Sequence, residues 1–375
     1  MRRYLFILFL FFTLSLNAEE RSDDKCLEAQ NLLRSAKTVK GTGEEELNKY
    51  LEASRLCPRM VEAWYNAGIV YSELGNREKA VESLNKALSI EKRPIFFIAL
   101  GNIFVKEGRL SEAEKMYLEA LKLEADNVSA LQGLGVVKAS EGELDKAIEY
   151  LRKAARVRDD PITFYNLGKI YEAKGLLSEA ITFYEKALNS GGSDIKIKLA
   201  LAEAYYKSGR NEDSVRVLKG ILNEDENNLA AVKLLGSVYL QMKMLERAEL
   251  AFRKGMRLAP SDIFIRTNLA SVLIQKEQPS LAEDVLKGLK GKVSDSKYYS
   301  VLGWAQLKLG KYEEAEKNLK KAVELDATNA IAHNNLGVLY QRMGRQREAL
   351  KEFKTAVRLN PSLEEASENV RLFSQ

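Results

Sequence analysis

Residues 164–187 read FYNLGKIYEAKGLLSEAITFYEKA, and the spacing of the small residues in this stretch decides the fold. Gly168 belongs to a series, Gly68, Gly101, Gly135, Gly168, Ala202, Gly236, Ala270, Gly303 and Gly337, whose members follow one another at 33 or 34 residues. A second series, Ala80, Ala113, Ala147, Ala180, Ser214, Ala248, Ala282, Ala315 and Ala349, trails the first by twelve residues. Helix backbones approach closely only where side chains are small. The Leu, Tyr and Phe between these positions fall at helical spacing, so each pair of small residues is expected to mark two touching helices that bury apolar faces between neighbours. Between the two series lie Gly75, Gly108, Gly142, Gly175, Gly209, Gly310 and Gly344, suited to the left-handed residue that ends a helix. Each unit reads as a helix-turn-helix, and a regular period of this length marks a repeat array.

Working outward, Trp64-Tyr65-Asn66-Ala67-Gly68 is followed by Tyr71, Gly75, Ala80 and Ala87. The last unit, from His333 to Pro361, carries Leu336-Gly337, Tyr340, Gly344, Ala349, Phe353, Ala356 and Asn360-Pro361. These stretches and the one at 164–187 resemble the tetratricopeptide-repeat family, and the resemblance covers nine units over 61–363. It implies an all-α, right-handed superhelical solenoid of stacked hairpins. A degenerate first hairpin is expected over 27–60, with Pro58 where the family often has a closing Pro, Tyr50 and Ala53 on second-helix core positions, and Arg34 in place of the small residue. Residues 364–375, entered from Leu363 and carrying Ala366, Val370 and Phe373 on one face, read as the capping helix a solenoid needs. Two places depart from the pattern. Asn189-Ser190-Gly191-Gly192-Ser193 is a flexible composition. The unit at 263–295 has Glu277 where a turn Gly is expected and Gly288 and Gly291 in its second helix, each weakening it by about 1 kcal/mol relative to Ala, while Pro279 falls in that helix's first turn.

Composition agrees with an all-α chain, since 375 residues contain only 6 Pro. The 58 basic and 53 acidic residues are interleaved, as in 21–25 and 311–321, and the net charge of +5 shrinks further if Arg2 and Arg3 are removed. No basic stripe or nucleic-acid motif is present, so nucleic-acid binding is not expected. Residues 1–18 have the layout of a signal peptide: Arg2-Arg3, an apolar run from Tyr4 to Leu16, then Asn17-Ala18 before Glu19-Glu20. The apolar run is short for a membrane span, which leaves a retained anchor as the alternative and a periplasmic or secreted protein, with no stable membrane insertion after cleavage, as the expectation.

Enzyme chemistry finds little support. The chain has one histidine, His333, which occupies the slot held by Trp64 and Phe164 and reads as a packed spacer. One His and two distant Cys make no metal site, and no phosphate-binding or dinucleotide loop appears, so no cofactor is expected. Glu44-Glu45-Glu46 and Glu313-Glu314 begin second helices, where the helix dipole explains them.

In the family the resemblance points to, ligands commonly lie along the inner face, lined by the first helix of each hairpin. Asn66, Asn166, Asn268 and Asn335 occupy one inward position, where an amide can pair with an extended peptide backbone. This is similar to the asparagine ladder of O-linked N-acetylglucosamine transferases. Tyr65, Tyr165, Lys169, Tyr206, Lys207, Lys233, Trp304 and Lys308 lie at neighbouring inward positions, with Asn102 and Asn334 beside them, and suit a partner carrying apolar side chains and carboxylates. The Lys-Asn-Asn-Lys-Arg carboxylate clamp of chaperone adaptors is absent as a set. The expected function is a non-catalytic scaffold that binds protein or peptide segments in the bacterial envelope. The alternative is a glycan- or peptidoglycan-associated subunit that tethers envelope enzymes, using Trp304 and the Tyr rings to stack on sugars. Cys26 and Cys57 fall at the start of the first helix and the end of the second in the degenerate hairpin, where antiparallel packing would set them side by side; a disulfide and two separate packed thiols are the alternatives.

Overall fold

The computed structural model describes residues 24–36, 43–289 and 293–373, and the regular structure among them is helical throughout. The expected leader at 1–18 and Gly291 lie outside the described residues. The chain divides into two compact units, Met1–Gly192 and Ser193–Gln375, at the Gly-rich run read as a flexible junction. In the first unit a helix over 24–36 pairs with Gly43–Leu56, and four further hairpins follow: Val61–Glu73 with Arg77–Ile90, Pro94–Lys106 with Leu110–Leu123, Val128–Ser140 with Leu144–Val157, and Pro161–Ala173 with Leu177–Asn189. The second unit holds Ile195–Lys207 with Asn211–Glu224, Leu229–Gln241 with Leu245–Leu258, Ile263–Gln275 with Pro279–Lys287, Ser296–Lys308 with Tyr312–Leu325, and Ala330–Arg342 with Gln346–Leu359, closed by Glu364–Phe373. Within each unit a first helix packs on its own second helix and on the next first helix, the nearest-neighbour stacking of an all-α repeat solenoid.

The small-residue series does what its spacing implies. A Cβ on Gly168 would stand 2.5 Å from the Tyr184 ring, and one on Gly337 would stand 2.6 Å from Phe353. Each large ring or Leu sits sixteen residues after the first small residue and is buried against it. Tyr117 is gripped from two repeats, since a Cβ on Gly101 or Gly133 would approach it to 2.7 or 2.4 Å. Ser214, the one polar member of the second series, satisfies its hydroxyl by donating to the Ala202 carbonyl at 2.7 Å. From Val128–Ser140 onward first helices start on an Asn or Asp that accepts from the backbone of the first turn, as Asn127, Asp160, Asn228, Asp262 and Asn329 do.

Turn geometry survives where the turn Gly is missing. Glu277 takes φ 59° and Lys243 takes φ 57°, and Gln278 N still bonds Leu273 O at 2.9 Å. The left-handed conformation costs a non-Gly residue about 1 kcal/mol, which the packed hairpin overrides. The second helix of the same unit departs from a merely Gly-weakened one: Pro279–Lys287 stops after 9 residues, where the other second helices of this unit run to 14. The helix ends at Gly288, and there the Arg266 guanidinium donates to the Val285 and Pro260 carbonyls. A Cβ on Gly288 would stand 2.5 Å from its Nη1, so a larger residue here would require the guanidinium to shift.

At the N-terminal end Cys26 and Cys57 are joined, with Cα atoms 4.9 Å apart. Ala29 and Ala53 are fully buried beside the bridge, with Tyr50 close to it in exposure at 2%. At the other end Ala366 is fully buried, the Phe373 ring lies 5.5 Å from that of Phe353, and Asn369 donates to Asn334 Oδ1 at 3.0 Å. No helix among the described residues is long and apolar enough to cross a membrane.

Candidate peptide-binding clefts

The second unit holds a cleft of about 880 Å³ lined mainly by first helices. Leu199, Glu203, Tyr206 and Lys207 come from Ile195–Lys207; Lys233, Leu234, Ser237 and Leu240 from Leu229–Gln241; Phe264, Asn268 and Gln275 from Ile263–Gln275; and Lys297 from Ser296–Lys308. Four neighbouring repeats thus contribute to one surface because the same helical face recurs in each. A second cleft of about 390 Å³ shares Gln275 and Lys297 with the first and continues over Ile274, Val301, Trp304, Ile331, Asn335 and Glu365. In the first unit a smaller cleft of about 340 Å³ is lined by Leu33, Arg34, Glu62, Tyr65, Asn66, Arg93, Ile95 and Phe96.

The cations of the large cleft differ in their partners. Lys233 Nζ pairs with Asp262 Oδ2 at 2.9 Å and lies 4.9 Å from the Phe264 ring centroid. Burial works against the Asp262 charge, yet the hydrogen bonds from Lys233 and from the first-turn amides hold its carboxyl below the usual range. Lys207 pairs with Glu203 at 2.8 Å. Lys297 Nζ donates to Asn268 Oδ1 at 3.0 Å and lies 5.9 Å from the Phe264 ring, and desolvation by the cleft wall pushes its pKa down.

The structure sorts the expected inward residues. Tyr65 and Asn66 share the first-unit cleft, Tyr206, Lys207, Lys233 and Asn268 the large one, and Trp304 and Asn335 the second. Three of the expected inward asparagines, two of them from the ladder, are engaged within the protein. Asn268 is only 5% exposed and its amide is used internally, donating to Phe264 O at 2.7 Å and accepting from Lys297, because burial leaves no polar atom to spare for a ligand. Asn334 is spent on Asn369 of the last helix. Asn335 is 8% exposed and faces Ser300 Oγ at 3.4 Å. Asn66 and Asn166, by contrast, are half-buried and make no side-chain hydrogen bond among the described residues. Lys169 is held by Glu172 at 3.1 Å, Tyr165 leans on Tyr184 with ring centroids 5.9 Å apart, and Asn102 accepts from Tyr117 Oη at 2.7 Å; none of these three lines a cleft described here. Lys308 lies 5.0 Å over the Trp304 ring. His333 is buried against Glu352 and the Ala327 carbonyl, a packing role.

Sequence reasoning missed Phe264, Lys297 and Ile331. The signal was available: Ile95, Ile162, Phe264 and Ile331 all stand six residues before the first small residue of their repeat, and all are exposed. Apolar residues that recur at an exposed repeat position are a surface the fold does not need for itself.

Family models described as tetratricopeptide repeat match residues 61–94, 98–161, 171–238, 234–262 and 330–363, and one described as TPR repeat matches 303–344. Among curated proteins, the chain is 24% identical over 317 residues to the BBSome complex member BBS4 of Bos taurus, covering 83% of this chain and 54% of that one. It is 23% identical over 257 residues to the TPR repeat-containing protein YpiA of Bacillus subtilis, covering 68% and 61%. The chain therefore spans less than two thirds of the length of these relatives. A solved tetratricopeptide repeat protein from Parabacteroides merdae superposes with a TM-score of 0.57 at 21% identity, over 66% of this chain and all but 1% of that one, a likeness of fold.

Proposed function

Because the chain belongs to the tetratricopeptide-repeat family, we propose that it is a non-catalytic interaction scaffold whose first-helix clefts bind segments of partner proteins, and that it acts after export, in the periplasm or cell envelope. The observation that carries the scaffold reading is the large second-unit cleft, where an exposed Phe264, Tyr206 and four lysines, Lys207, Lys233, Lys243 and Lys297, share one apolar and cationic surface. Such surfaces bind by burying aromatic and aliphatic anchors and pairing a few charges. The export reading rests on the arginine-then-apolar layout of 1–18 and on a disulfide, chemistry suited to an oxidising compartment. Sugar stacking on Trp304 finds less support, since the Lys308 ammonium lies over that ring.

A paired variant, Tyr206→Glu with Phe264→Ser, is expected to abolish capture of partner proteins by crosslinking in intact cells while leaving the helical circular dichroism unchanged. Lys219→Glu, on the exposed side of the second helix Asn211–Glu224, serves as the control. Equal loss in that control would overturn the cleft reading. Export is tested by the intact mass of the protein from its native host, with a mature N-terminus at Glu19 expected and the full chain in the cytosol opposing it.

A further inference from the structure

We propose that the second unit recognises an extended segment of a partner protein in which one acidic side chain, seated on Lys297, has apolar side chains on both sides. This rests on the cleft reading above and names the chemistry of its ligand.

Lys297 stands at the junction of the two second-unit clefts and lines both. Among the described residues no carboxylate forms an ion pair with it, whereas Lys233 is neutralised by Asp262 and Lys207 by Glu203. Its position is nevertheless held. Asn268 donates its Nδ2 to the Phe264 carbonyl, which turns Oδ1 toward Lys297 Nζ. An ammonium positioned by a buried amide, partly desolvated and in direct ion-pair contact with no carboxylate among the described residues, Asp295 acting on it only from a distance, is arranged to receive an anion.

What lies to either side of the lysine decides what kind of anion. On one side Phe264 is 44% exposed and stands with Tyr206 and Leu240; on the other Ile331 is 57% exposed and stands with Trp304 and Val301. A chain that ended at Lys297 through its C-terminal carboxylate would fill only one of these subsites, so the acid belongs to an internal side chain. Packed helices are about 8–10 Å apart and an extended chain advances about 3.3 Å per residue, which places each apolar residue about three positions from the acid. Glu365, which also lines the second cleft, disfavours a further acid there.

The test uses the full chain, immobilised, and a degenerate library of N-acetylated nonapeptides offered as two pools, one with amidated and one with free C-termini, the retained peptides being sequenced by mass spectrometry. Expected is enrichment of Asp or Glu at one position with apolar residues about three positions to either side. A peptide from that pool with its acid changed to Gln should bind about tenfold more weakly by fluorescence anisotropy, and Lys297→Gln should bind the two peptides alike. Lys297 is accessible, so its variant should keep the wild-type circular dichroism. Apolar enrichment without an acid, an acid preference that survives Lys297→Gln, or retention only of peptides with a free C-terminal carboxylate would overturn this proposal and leave the cleft reading standing. If no peptide is retained, or if Tyr206→Glu with Phe264→Ser retains the same pool, both readings fall.

Discussion

Glu283 is a carboxylate with only 4% exposure, and it is stabilised by Lys287 at 2.6 Å, Lys311 at 2.6 Å and the Gln306 amide at 3.2 Å. Burial alone would raise its pKa, but these three partners pull it down to about 2. The folded value lies below that of the unfolded chain, near 4.3, so the stabilisation is present above about pH 4.3 and is lost as pH falls toward 2. The wild type is expected to lose roughly 2–3 kcal/mol more than Glu283→Gln between pH 4.5 and 2, measured by urea unfolding at intermediate points; equal losses would contradict the assignment. Nothing in the sequence singles out Glu283, because Gln306 and Lys311 reach it from the next hairpin. Gly168 and Ala180 were legible at the same scale because the constraint they meet, helix approach, repeats in every unit.

The first hairpin is the element with the weakest repeat signal and the only covalent tie. With Cys26 and Cys57 separated by 31 residues, the chain-entropy model assigns the bridge roughly 3–4 kcal/mol. Reduction, or Cys57→Ser, is expected to lower the unfolding midpoint of the 24–56 hairpin and to open it to protease ahead of the later repeats, read by limited digestion with N-terminal sequencing. Indifference of that hairpin to reductant would mean that its packing alone holds it. Antiparallel helix ends are a local consequence of a helix-turn-helix, so this juxtaposition could be anticipated from spacing. The arginine at the end of Pro279–Lys287 could not, since Arg266 reaches that last turn from a different helix.

At the scale of the whole molecule, repeat stability is a sum of unit and nearest-neighbour terms, and each compact unit stacks its own hairpins. Residues 193–375 expressed alone are expected to give a fully helical circular dichroism spectrum and a cooperative denaturant transition, while a largely disordered product would show that the unit depends on what precedes it. By itself the sequence determined the period, the two helices of each unit, their point of closest approach and the cap at the last helix, and it set the two cysteines side by side while leaving their bonding open. Each of these is met within one repeat or restated in all of them. Which inner residues remain open to a ligand was decided only by tertiary structure. The partners that consume Asn268 and Asn334 lie 29 and 35 residues away, and desolvation at Lys297 comes from the helices stacked around it. A hydrogen bond between neighbouring repeats leaves no periodic trace, because it forms wherever two particular side chains happen to meet across the stack.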